Sequence, residues 1–409
     1  MIKLPFEIIQ LLWSCGNNRV EHLNGFATEF SEATFDIVST SPFVIRANNT
    51  EILLTRDEND HSIDGYQYVV LTNKIPRKSE FLRGNILSIR WIKHPKIDTL
   101  RPEEITASWR GKFLYKKENI QESILGLRAP QLGAIYAFMS KAQIHHGRNI
   151  IVMPTGTGKT ETMLSILIAN QCAKVLVTVP SDALRDQLAN KFFTLGVLHK
   201  FGIVTSDCSY PNVGIVKEGM DYNGWYTLIE KSNVIITTMP LITNCESEII
   251  NLLKENISHL FVDEAHHSEA KTWSEFIDSF DDEKVTLFTA TPFRNDSRRL
   301  KGDFIYNFSL KDAQSQGYYK PIKFIPIREY DLIQADKHIA EVAVKQLRSD
   351  MENGYDHILM ARCSTKQRAK EVMEIYQQYS DLNPVMVFSS MPNQKSILNN
   401  IKDKKHKII

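Results

Sequence analysis

Residues 149–160 read Asn149-Ile150-Ile151-Val152-Met153-Pro154-Thr155-Gly156-Thr157-Gly158-Lys159-Thr160. The apolar residues make a short strand, the following six make a glycine-bearing loop, and Glu161 to Asn170 continues as a helix. A strand that turns through glycines into a helix N-terminus is suited to holding phosphate. Glycine lets successive backbone N–H groups line a small concavity, and the helix dipole adds partial positive charge. In such a loop Lys159 reaches the β- and γ-phosphates of a nucleoside triphosphate, and the Thr160 hydroxyl ligates Mg²⁺. Measured against G-x-x-x-x-G-K-[ST], Met153 stands where the first glycine is expected, so the strand-loop-helix context carries the reading.

Working outward, strand-like apolar runs recur at 149–153, 174–179, 233–237, 259–262 and 285–288, with helical stretches between them. Parallel strands need crossover connections, so this alternation predicts an α/β fold: a parallel sheet with helices on both faces. Val175-Leu176-Val177-Thr178-Val179 has the near-continuous apolar character of a strand buried on both sides. After the turn-rich Gly317-Tyr318-Tyr319-Lys320-Pro321, a second α/β unit is expected. Its helices fall at about 335–353 and 366–379, and its strands at His357–Ala361 and Val385–Phe388. Upstream, Phe43–Arg46, Glu51–Leu54, Tyr66–Leu71 and Ile86–Ile92 read as short strands of a β-rich or α+β domain. The expected domains are therefore 1–117, 118–318 and 319–409.

The 409 residues carry a net charge of +1, with 43% apolar and 24% charged residues, which excludes a largely disordered, collagen-like or coiled-coil chain. No window offers about 18 uninterrupted apolar residues, and no secretory leader is evident at the start. Cys15, Cys172, Cys208, Cys245 and Cys363 show no short pairing, which suits reduced thiols and a cytoplasmic setting. The neutral balance hides a dipole. Residues 1–64 hold four Lys/Arg against ten Asp/Glu, and residues 65–117 hold twelve against four. The basic half interleaves Lys93, Arg110, Lys112 and Lys116 with Trp91, Trp109, Phe113 and Tyr115, a pattern open to two readings. One is a nucleic-acid surface; the other is an interface to a partner protein or to the rest of the chain, with about half of the aromatics facing a core and Lys/Arg on the wet side.

A second chemical element lies 104 residues beyond Lys159: strand 259–262 runs into Asp263-Glu264-Ala265-His266. Acidic residues at the end of a buried strand stand at the carboxyl edge of the sheet, where the phosphate loop also opens. Asp263 can hold the Mg²⁺ shell there, and Glu264 can polarise an attacking water. An isolated acidic pair is more often a solvated strand cap, and the phosphate loop in the right chain order is what favours chemistry.

Together with Thr289-Ala290-Thr291-Pro292-Phe293-Arg294, these elements resemble motifs I, II and III of superfamily 2 DEAD/DEAH-box helicases of the restriction and defence type. The resemblance covers about 120–409, and Arg128 to Leu164 is similar to the helicase subunit of Hachiman-type anti-phage systems. It implies RecA-like lobes, the first complete and the second partial, behind the N-terminal β-rich or α+β domain. It implies ATP and Mg²⁺ as cofactors and catalytic roles for Lys159, Asp263, Glu264 and His266. Pro154, Thr155, Gly156, Thr157, Gly158, Lys159, Thr160 and Glu161 would hold the nucleotide, with Thr160 and Asp263 on Mg²⁺. Arg128 and Gln131 match the element in which the glutamine reads adenine, and Thr289 and Thr291 would couple hydrolysis to movement, with His266 as a hydrogen-bond partner. Val179–Gln187 and Thr237–Pro240 resemble segments that touch the nucleic-acid backbone, and Met360–Thr365 resembles the motif IV turn.

The family's later arginine motif has no counterpart, because no arginine follows Arg368. Ile408-Ile409 reads as a strand with no evident element to pack against, so the chain is expected to stop inside lobe two. The resemblance implies an ATP-dependent helicase or translocase subunit in bacterial defence or restriction, with nucleic acid, DNA before RNA, and a nuclease or other defence subunit as partners. The alternative is an ATP-binding adaptor with little turnover. A small-molecule kinase is disfavoured, since it explains neither the acidic element nor the threonines at 289–291.

Overall fold

The five apolar runs become the parallel centre of a nine-stranded sheet. The computed structural model describes residues 7–25, 35–57, 59–72, 74–75, 77–79, 88–95, 97, 100–141, 147–267, 271–291, 300–320, 323–388, 391 and 394–409. In chain order the strands are β1 (Glu7–Cys15), β2 (Asn18–Gly25), β3 (Asp36–Thr40), β4 (Phe43–Ala47), β5 (Thr50–Thr55), β6 (Tyr68–Thr72), β7 (Ser88–Lys93), β8 (Asn149–Val152), β9 (Val175–Val179), β10 (Val213–Ile215), β11 (Val234–Thr238), β12 (His259–Val262), β13 (Val285–Thr289) and β14 (Asp303–Asn307). The large sheet runs β1-β2-β10-β11-β9-β12-β13-β8-β14 and is parallel from β10 to β14. Every residue of β9, β11 and β13 is buried. Each Val, Leu or Ile side chain so enclosed contributes about 1.5–3 kcal/mol, which is why these runs lack the alternation of a half-wet strand. This is the α/β, RecA-like sheet that the sequence implies, and its carboxyl edge carries the loops after β8, β12 and β13.

The N-terminal strands form a five-stranded sheet, β3-β4-β5-β6-β7, antiparallel except for β5 beside β6. The β-rich expectation is met there. Residues Met1–Lys320 form one compact unit and Pro321–Ile409 the other. Hairpin β1–β2 belongs to the large sheet: Glu21, Val20 and Arg19 pair antiparallel with Val213, Gly214 and Ile215. Its two-residue turn, Gly16-Asn17, has Gly16 at φ +57, a conformation glycine takes without Cβ strain. Asn18, fully buried, fixes the tip by accepting from the N–H groups of Lys217 and Glu218 at 2.7 and 3.0 Å. Residues just before 117 are also built into this unit. Ile105 and Trp109 join the main core, and Trp109 Nε1 donates to Ser209 O at 2.8 Å.

The second unit is helical: Leu332–Glu352, Lys366–Tyr376 and Gln394–Lys402, around a small core of Ala340, Val344, Leu347, Tyr376, Leu382 and Ile408. Of the two predicted strands, His357–Ala361 contributes one bridge, Leu359 beside Ile408, and Val385–Phe388 forms none among the described residues. The expectation that Ile408-Ile409 lacks a partner is corrected. Ile409 N donates to Leu359 O at 2.9 Å, and Val385 N donates to Ile408 O at 3.0 Å. The tail thus lies between both predicted strands, and Ile408 enters the core.

Candidate active site

At the end of β8 the chain closes into a tight loop. Thr157 donates through its backbone N–H and its hydroxyl to Pro154 O, at 3.1 and 2.6 Å. Gly156 and Gly158 stand at φ +83 and +98, and Gly158 is the N-cap of helix Lys159–Ala169. A Cβ on Gly158 would lie 2.0 Å from Gln131 Nε2. Only glycine meets both the backbone angle and the close approach. Met153, in the place of a glycine, is fully buried. Its N–H is held by Thr289 O at 2.9 Å, and its sulfur receives the Thr162 hydroxyl at 3.6 Å. The side chain faces the core, so the loop needs no glycine there. Thr155 and Gly156 are exposed, Thr160 and Glu161 half-buried, and the Glu161 carboxylate accepts from Lys191 Nζ at 2.7 Å.

The acidic element arrives at the same edge. Lys159 Nζ, 8% exposed, meets Glu264 Oε1 at 2.9 Å, and Glu264 Oε2 lies 3.4 Å from His266 Nδ1. His266 Nδ1 is also 3.2 Å from Thr289 Oγ1, which donates to Thr291 O at 2.9 Å and accepts from Thr291 N at 3.3 Å. A continuous polar chain therefore runs Lys159–Glu264–His266–Thr289–Thr291. Glu264 takes φ +50, a left-handed conformation that costs a non-glycine residue on the order of 1–3 kcal/mol and is held by its two partners. Asp263 is 7% exposed. Its N–H is tied to Thr178 O at 2.9 Å, while its Oδ1 has no hydrogen-bond partner among the described residues. Burial pushes its carboxyl up to about 6, against the pull of the Lys159 ammonium. An orphaned, buried carboxylate oxygen, with the Thr160 hydroxyl lining the same cavity, is a hard-oxygen donor set that fits Mg²⁺.

Of these groups, Thr155, Gly156, Lys159, Thr160, Asp263 and Glu264 line a cavity of about 660 Å³, and Glu118, Leu125, Leu127, Arg128 and Gln131 line it too. The Gln131 amide links the two sets: its Oε1 accepts from Arg128 N at 2.7 Å, and its Nε2 donates to Gly158 O at 3.4 Å. Arg128 Nη1 donates to Gly156 O at 2.8 Å. Sequence reading missed Glu118, Leu125, Leu184, Gln187 as a cavity residue, and Phe201. Leu184 and Gln187 fall in the 179–187 segment, read there as touching nucleic acid; Glu118, Leu125 and Phe201 stand in no motif, and only the approach of their segments to the loop reveals them.

Other predicted residues lie elsewhere. Arg185 is buried and held by Asp182 at 2.6 Å and Asp186 at 3.0 Å, and Thr237, Thr238 and Met239 are buried. Trp91 and Trp109 face cores, Lys112 is paired with Asp207, and Lys116 Nζ donates to Phe201 O at 2.8 Å. The core-facing reading of the basic half holds for these residues. Pro292, Phe293, Arg294 and the His267 side chain lie outside the described residues.

Residues 124–294 match the family described as type III restriction enzyme, res subunit (ResIII). The matched stretch is 171 of the chain's 409 residues. It contains every predicted nucleotide, acidic and threonine residue, and excludes Glu118 and everything after Arg294. Similar solved structures include three helicase or restriction proteins. The nuclease-deletion mutant of the Type ISP restriction-modification enzyme LlaGI with a DNA substrate mimic shares 15% identity and a TM-score of 0.33, over 68% of this chain and 29% of that one. T4 UvsW gives 12% and 0.32, over 75% and 60%. Mycobacterium smegmatis helicase Lhr bound to ssDNA and AMP-PNP gives 16% and 0.43, over 74% and 40%. The chain spans less than two thirds of the length of each of these structures. A comparison with curated proteins finds no match.

Proposed function

We propose that the chain supplies the ATP-hydrolysing lobe of a nucleic-acid helicase or translocase, acting on DNA in a restriction or anti-phage defence system alongside a nuclease or other defence subunit in the cytoplasm. The polar chain from Lys159 through Glu264 and His266 to Thr289 and Thr291 carries this reading, since it ties the phosphate loop to the turn after β13. A phosphate-binding loop alone would need no such link. Residues 118–318 would be the ATP-binding lobe, 319–409 would contribute to a second lobe, and the sheet within 1–117 would be an accessory part.

In this reading the loop N–H groups and Lys159 bind the β- and γ-phosphates. Lys159 exchanges Glu264 for phosphate when the nucleotide enters, which frees the Glu264 carboxylate to take a proton from the attacking water. His266 holds Glu264 and senses Thr289, so a change at the γ-phosphate alters the 289–291 turn. Thr160 and Asp263 would hold Mg²⁺, which neutralises charge on the phosphates when bound. Gln131 and Arg128 belong to the base end. ATP turnover by the full chain should rise with added single-stranded DNA and fall to background in Lys159→Ala and Glu264→Gln. Turnover that persists in both variants rejects the reading, and tight ATP binding without turnover in the unaltered chain favours the adaptor.

A further inference from the structure

The cavity's base end depends on a residue from the far side of the sequence. Helix Ala129–Lys141 carries Gln131, and its first N–H groups have no partners within the helix. Two are met in different ways: Arg128 N–H donates to Gln131 Oε1, and Ala129 N–H donates to Tyr318 Oη at 3.3 Å. The Tyr318 hydroxyl in turn donates to Glu118 Oε1 at 3.1 Å, and the Arg128 guanidinium lies over the Tyr318 ring, 5.5 Å from its centroid. Burial raises this hydroxyl above the usual phenol range, so it stays a donor. Tyr318 is itself anchored, through its N–H to Ala313 O at 2.9 Å and edge-on against Phe308. The next residue, Tyr319, places its hydroxyl 3.0 Å from the position a Cβ would take on Gly156. Tyr318 thus braces the Arg128–Gln131 corner, while the approach to the phosphate loop is made by Tyr319.

We propose that Tyr318, braced by Glu118, is a positioning residue for the base end of the nucleotide cavity, acting as a tertiary cap that sets the Arg128–Gln131 corner against an adenine-sized base. The inference rests on the nucleotide-binding reading above and goes beyond it. Neither residue lies in the ResIII match, and neither touches the phosphate end. Its signature is selective. Loosening the corner weakens recognition of the base and leaves recognition of the phosphates as it was.

The test titrates the full chain, in Mg²⁺, with ATP and separately with inorganic tripolyphosphate, for the unaltered protein, Tyr318→Phe, Tyr318→Leu and Lys159→Ala. Tyr318→Phe keeps the ring under Arg128 and removes two hydrogen bonds, so ATP affinity should fall about fivefold to tenfold with tripolyphosphate affinity unchanged. Tyr318→Leu should narrow the ratio further, and Lys159→Ala should weaken both ligands together. If Tyr318→Phe does not yield folded protein, Glu118→Ala decides by the same ratio. An unchanged ratio in the tyrosine variants, or an equal loss of both ligands, overturns the proposal while Lys159→Ala keeps the nucleotide site intact as a reading. Absence of ATP binding in the folded, unaltered chain overturns both.

Discussion

The two ends of the 660 Å³ cavity are made in different ways. The proposed phosphate end comes from short contiguous stretches, 154–161 and 263–266, which follow β8 and β12, the two strands that flank and pair with β13. The proposed base end gathers Glu118, Arg128, Gln131 and Tyr318 from segments up to 200 residues apart, held by side-chain contacts. Chemistry set by backbone geometry is rigid and readable from sequence. Chemistry set by tertiary bracing tunes specificity and leaves no local pattern.

That contrast predicts an order of effects. Glu264→Gln removes the group placed to accept the proton and keeps its size. Turnover should fall by roughly 10²–10⁴-fold, with ATP affinity retained, as steady-state rates and calorimetry would show. Lys159→Ala should lower ATP affinity by about 100-fold, the cost of a lost charged hydrogen bond, as calorimetry on the folded variant would show; a loss of only a few fold would place the phosphates elsewhere.

A third prediction leaves both ends alone. His259 begins β12, at the opposite end from Asp263. Its Nε2 lies 3.2 Å from Asn170 Nδ2 and its Nδ1 3.0 Å from Ser258 Oγ. Burial pushes its imidazole down to about 4, so the unfolded chain takes up a proton first as pH falls. Stability should be full above about pH 6.5 and lost toward pH 4, by up to about 2 kcal/mol between pH 7 and pH 5. Urea midpoints at the two pH values measure this, and His259→Gln should flatten that part of the dependence. The smallest effect is Gly158→Ala, where a Cβ meets Gln131 at φ +98. It should cost about 1 kcal/mol of stability and weaken ATP binding, because Gln131 joins both ends.

The central strands were legible because burial on both faces forces unbroken apolar runs, and all five became β8, β9, β11, β12 and β13. The phosphate loop and acidic element were legible for a related reason: glycines with positive φ and charges at strand ends are demanded locally. Hairpin β1–β2 escaped notice although Gly16-Asn17 is a two-residue turn signal, since nothing in residues 7–25 says which sheet they extend. The short β10 and the irregular β14 gave three and five residues with no motif to mark them. Trp91 and Trp109 looked like candidate stacking platforms in a basic stretch, and they are core residues. Tyr318 read as part of a turn, and only its hydroxyl's two partners give it a role.

The most direct test of the account is a single-turnover chase. Labelled ATP is bound to the full chain and to Glu264→Gln with Mg²⁺ and single-stranded DNA, and the bound nucleotide is recovered over time. The account predicts ADP from the unaltered chain and intact ATP from the variant. ADP appearing at the same rate from both would contradict it.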